Sequence, residues 1–126
     1  MSVRELLVRT REVLSSPSKW VKQKLHDDGG YCLIGALQFA AKGQTYNEST
    51  ELGWIYNQAR VRCQLAIWEA ERGQEWDPAS DYDVGDLPDI PSWNDDDDRQ
   101  HDEILACLDR AIKLDYKVVS SMEDQS

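Results

Sequence analysis

No run of this chain approaches 18 consecutive apolar residues, so nothing in it reads as a membrane span. The N-terminus, MSVRELLVRTREVL, has charges scattered along it and lacks the apolar core of a secretory signal. Cysteines number three, an odd count without zinc spacing, so neither a disulfide framework nor a metal site is expected. The two histidines, His26 and His101, do not complete one. A reducing cytoplasm fits these absences, and no cofactor is expected. Basic residues are also nearly missing from one region. Residues 75–103 hold twelve acids and a single base, Arg99, for a local charge of −11. The remainder carries thirteen bases against twelve acids, so the net charge of −10 is one patch on a near-neutral body. Such a field repels DNA, RNA and anionic lipid and attracts cations or basic partners.

What the chain does have is helical periodicity. With 126 residues and 40% apolar content it is long enough for one domain with its own core. Ser2 and Glu5 stand at capping-box spacing ahead of Val3, Leu6, Leu7, Thr10, Val13 and Leu14. Ser16-Pro17 opens a second, short helix carrying Trp20, Val21 and Leu25, and HDDGG makes a loop. A third helix is expected over Tyr31–Lys42, capped by Gly43 and apolar nearly all round, as a central helix is. The fourth and longest spans Ser49–Arg72 and stops at Gly73. It bears two apolar stripes, one through Ile55, Ala59, Cys63 and Ala66, the other through Trp54, Val61, Leu65 and Trp68. Either neighbouring helices cover both, or the Trp54/Trp68 side is a homodimer surface. Residues 74–97 lack helical period and read as a long acidic surface loop pinned by Trp76, Tyr82, Leu87, Ile90 and Trp93. A last helix starts near Asp97 or Asp98 and ends near Val118, with a polar tail over 120–126. The expected fold is a single all-α domain of four to five helices over residues 1–119.

Two stretches carry candidate chemistry. In PSWNDDDDRQHDEIL, Asp97 or Asp98 can cap the last helix, with Asp102 and Glu103 in its first turn. One cap does not require four aspartates, and crowded like charges repel. The spacing fails an EF-hand: counted from Asn94, position 6 is Arg99 and position 12 is Leu105. A looser Mg²⁺ or Ca²⁺ site stays open, and the third reading is recognition, in which Asp81, Asp83, Asp86, Asp89, Asp95, Asp96, Asp97 and Asp98, with Trp93 as apolar anchor, meet a basic protein surface. In GGYCLIGAL, Cys32 sits near a helix N-terminus, a position that favours thiolate. With His101 as base and Asn94 as orienting group it would form a nucleophilic set; otherwise it is a small core residue. Cys63 and Cys107 fall on core faces and are read as packing.

The order KW, then YCLIGALQFA, a long helix, then IPSWNDDDDRQHDEILACLDRAI resembles an uncharacterised domain family of actinobacterial and phage proteins. The resemblance covers roughly residues 13–114, through Trp20, Cys32, Gly35, Ala36, Trp93, Asn94 and Asp95. The length of the aspartate run and the acidic approach to it depart from the pattern. No activity comes with the resemblance, but a phage origin makes an inhibitor of host machinery a natural expectation. The reading taken forward is a non-enzymatic acidic module, an inhibitor or nucleic-acid mimic for a basic protein surface. A thiol enzyme and a dimerising accessory protein are the alternatives.

Overall fold

A computed structural model describes residues 1–24, 26, 27, 29–42, 50–77 and 87–124, with the backbone only for 26 and 116–124. The domain is all-α. Five helices are described: α1 (Val3–Val13), α2 (Leu33–Ala40), α3 (Glu51–Arg72), α4 (Ile90–Asn94) and α5 (His101–Asp124). A small hairpin of β1 (His26–Asp27) and β2 (Gly30–Tyr31) precedes α2. Helix α3 is the axis. Helix α5 packs along it, α1 packs against α2, α3 and α5, and α4 packs against α2.

Local chemistry starts and stops these helices where the chain supplies it. Ser2 caps α1, its Oγ accepting from the Glu5 N–H at 3.0 Å. Thr10 faces the core and satisfies its hydroxyl on the Leu6 carbonyl one turn back, at 2.8 Å. Thr50 caps α3 through the Gly53 N–H. Gly73 ends α3 at φ +64°, a left-handed conformation that a side chain would strain. The two stripes of α3 are both buried from Ile55 to Ile67, because α1, α2 and α5 cover it on different sides.

Four expectations are corrected. No second helix carries Trp20 and Val21. A 3₁₀ turn over Pro17–Lys19 leads into extended backbone, where Trp20 bridges Tyr31 and the Val21 N–H donates to the Tyr31 carbonyl at 3.1 Å. An aromatic and a β-branched residue suit that geometry, and Gln23, at φ +66°, breaks any helical continuation. Gly30 is needed for close approach, since a Cβ there would stand 2.9 Å from Val21 Cγ1. Tyr31 therefore belongs to β2, and α2 begins at Leu33 and is closed by Ala41; Gly43 lies outside the described residues. The acidic stretch 74–97 is not one loop, for α4 interrupts it. Helix α5 starts at His101 and continues to Asp124, past Val118 and into the segment read as a tail.

The core runs from Leu6, Leu7 and Leu14 through Leu33, Leu37, Ile55, Leu65 and Ile67 to Ile104 and Leu108. Trp76 is buried, and its N–H donates to Glu69 Oε2 at 2.6 Å, which pins the start of the 74–77 segment to α3. No helix among the described residues is long and apolar enough to cross a membrane.

Candidate functional site

Helix α4 and the turn after it place the WNDDDD run against the 20–23 segment and the start of α2. Asn94 is fully buried there. Its Oδ1 accepts from Trp20 Nε1–H at 2.8 Å and from the Leu33 N–H at 3.1 Å. Its Nδ2 donates to the Val21 carbonyl and to Asp95 Oδ1, both at 3.1 Å. Two lone pairs and two N–H groups are all used, so the amide is saturated and its orientation is fixed. Leu33 opens α2, and its N–H is one of the orphan donors of a helix start. Asn94 thus caps α2 from another part of the chain. Cys32 caps it from within, its Sγ accepting from the Gly35 N–H at 3.3 Å.

The three residues of the nucleophilic set come into one corner but do not engage one another. Burial, the largest influence, pushes the Cys32 thiol up; the Gly35 and Ile34 N–H groups pull it down, and the Asp95 carboxylate pushes it up again. That direction is opposite to activation. His101 Nε2 lies 2.6 Å from the Leu14 carbonyl, which can only accept, so the ring donates there and closes the C-terminus of α1. Its ring lies 6.3 Å from that of Trp20. Asn94 has no hydrogen-bonding capacity left with which to orient it.

The aspartates divide. Asp89 is exposed and caps α4, its Oδ2 accepting from the Ser92 N–H and hydroxyl. Asp95 is half-buried, and its Oδ1 also accepts from the Gln23 N–H at 2.7 Å. Asp96, Asp97 and Asp98 are exposed, and among the described residues none of their carboxylates is in an ion pair. They do not cap α5. Asp96 Oδ1 instead takes the Asp98 N–H at 2.9 Å, a turn closed by an aspartate side chain. Helix α5 is started by Gln100 and Glu103, whose Oε1 accepts from the Gln100 N–H. Trp93, the candidate anchor, is largely buried beneath the Arg99 guanidinium, 4.1 Å from its ring centroid. Asp81, Asp83, Asp86 and Tyr82 lie outside the described residues.

Two cations that the sequence reading passed over build this turn. Lys22 donates to the Asp96 and Asp97 carbonyls at 2.7 and 3.2 Å. Arg99 donates to the Trp93 carbonyl at 2.9 Å and to Glu103 at 2.8 Å. Both bind backbone rather than the run's carboxylates, so the turn is held while those carboxylates stay outside any ion pair among the described residues. Arg99 had a visible signal, as the single base in the acidic region four residues before Glu103. Lys22 had none, because its partners are 74 and 75 residues away. On α3, Trp54 is half exposed, whereas Trp68 lies under Arg72, 4.8 Å from the guanidinium. No group of three His, Cys, Asp or Glu among the described residues could hold a metal ion.

The chain belongs to a family of unknown function, DUF6197, whose model matches residues 1–114. No curated protein and no solved structure matches it.

Proposed function

For a member of a family without an assigned activity, the geometry has to speak for function, and we propose that this protein is a small acidic protein-binding module. It presents Asp96–Asp98 to a basic surface of another protein, as a phage-type inhibitor or nucleic-acid mimic would. The observation that supports this is a triplet of exposed carboxylates without an ion pair among the described residues, on a turn whose backbone Lys22 and Arg99 hold in place. A prearranged charged surface loses little conformational freedom on binding, and it steers association through long-range attraction.

The test is a pull-down from host lysate at low and moderate salt with wild type and the Asp96→Asn/Asp97→Asn/Asp98→Asn variant. Asp95 is left unchanged because its carboxylate holds the Gln23 N–H. Asn at position 96 keeps an oxygen for the Asp98 N–H, so circular dichroism should match wild type. The reading expects a discrete partner that is lost with the variant and weakened by salt. Equal capture by both proteins would overturn it.

A further inference from the structure

Where α5 runs along α3, a cleft of about 480 Å³ opens, and charged side chains line it. They are Glu69, Glu75, Asp109, Arg110 and Lys113. Two of the three acids are already engaged. Asp109 accepts from Arg11 Nε and Nη2 at 2.6 and 3.2 Å. Glu69 is buried; one oxygen takes the Trp76 N–H and the other takes Arg110 Nη1 at 3.3 Å. Three groups are left over. Among the described residues, the Arg110 edge formed by Nε and Nη2, the Lys113 ammonium and the Glu75 carboxylate enter no hydrogen bond or ion pair. Arg110 and Lys113 stand three residues apart on α5, so both cations share one wall. Glu75 follows the end of α3 and lines the same space without pairing with either. A second lobe, of about 250 Å³, meets the first at Ala106 and Arg110. Ala66, Ala70 and Cys107 line it opposite the charged wall, together with Trp93. Of its charged residues, Arg99 and Glu103 pair with each other at 2.8 Å, and Glu71 is exposed.

We propose that the α3–α5 cleft binds a free α-amino acid with a large apolar side chain. Its carboxylate lies on the open edge of Arg110 and on Lys113, a planar fork and a point charge that both suit it. Its ammonium meets Glu75. Its side chain passes Ala106 into the alanine-lined lobe beside Trp93. The uncommitted charges select this class. A simple anion would face Glu75, and a simple cation would face Arg110 and Lys113. A zwitterion satisfies both walls, and an amino acid carries its two charges one carbon apart. The two lobes together have the size of an ordinary small-molecule site. This site uses none of Asp96–Asp98 and stands or falls apart from the reading given to that turn.

The test is an NMR titration of the isotope-labelled full chain with L-phenylalanine, N-acetyl-L-phenylalanine, L-phenylalaninamide and L-alanine at millimolar concentration. L-Phenylalanine should shift amides around Arg110 and Lys113 in a saturable way. Each derivative lacks one charge and should bind about tenfold more weakly or worse, the size of one lost hydrogen bond to a charged group. L-Alanine keeps both charges but leaves the second lobe empty, and it should also bind more weakly. Lys113→Gln and Glu75→Gln alter exposed side chains, so both variants should fold as wild type does and lose affinity for L-phenylalanine by a similar factor. Arg110 is left in place because it pairs with the buried Glu69. Absence of saturable shifts with L-phenylalanine, equal binding of a derivative or of L-alanine, or unchanged affinity in either variant would overturn the assignment.

Discussion

Asn94 and Asp97 stand three residues apart in one polar stretch, yet they behave as opposites. Asn94 is fully buried with every hydrogen-bonding position filled, three of the four by distant parts of the chain. Asp97 is exposed and lends the fold its backbone carbonyl, while its carboxylate stays unpaired among the described residues. A polar group inside must be satisfied, because an unmade bond there costs far more than one in water. A carboxylate outside is already satisfied by solvent, so the fold places no demand on it. The difference separates a polar residue that builds the domain from one that is free for use.

Replacing Asn94 gives the largest effect in this contrast. Asn94→Ala leaves the Trp20 indole N–H, the Leu33 N–H and the Val21 carbonyl without their partner. At about 1–3 kcal/mol for each buried group left unsatisfied, the loss should be roughly 3–5 kcal/mol, since solvent reaches the half-buried Trp20 in part. Urea unfolding measures it, and a loss below about 1 kcal/mol would show that the hub is not structural. Cys32→Ala is expected to be milder, at roughly 1 kcal/mol, the size of a lost helix cap. It also carries a pH signature. Because the folded thiol is pushed above its ordinary value, the unfolded chain releases this proton first as pH rises. The thiol's contribution is therefore complete below about pH 8.5 and declines above it. The stability gap between wild type and Cys32→Ala should be flat at neutral pH and narrow in alkali; a widening gap would mean an activated thiol. The smallest effect belongs to the Asp96–Asp98 asparagine variant, whose urea midpoint should equal that of wild type at moderate salt. A marked shift would mean that these carboxylates serve the fold after all.

Much of the fold was legible because it rests on short-range rules. The caps at Ser2 and Gly73 and the apolar spacing of α1 and α3 are local signals, and the structure follows them. Helix α2 was recognised as buried from its composition, although its first residues were lost to the hairpin and α3, not α2, is the axis. The failures share one cause. The Trp20–Val21 segment has both a helical start signal at Pro17 and extended propensity, and pairing with Tyr31 decides between them. The start of α5 was misplaced because several residues can cap a helix, and Asp96 uses its carboxylate on a turn instead. At the candidate site, the sequence singled out Cys32, Asn94 and His101 by chemistry alone. The hydrogen bonds of Asn94 and His101 run to Trp20, Leu33 and Leu14, 61 to 87 residues away, and no spacing within one peptide reveals that.

By itself, then, the sequence determined an all-α domain with one strongly acidic region, since helix periodicity and charge are properties of neighbouring residues. Only the tertiary structure decided which polar groups of that region are consumed by the fold and which remain outside. It also decided that the Cys107 thiol meets the Cys63 carbonyl, 44 residues away. Those outcomes depend on burial and on partners from distant segments, and both exist only once α2, α3 and α5 have packed.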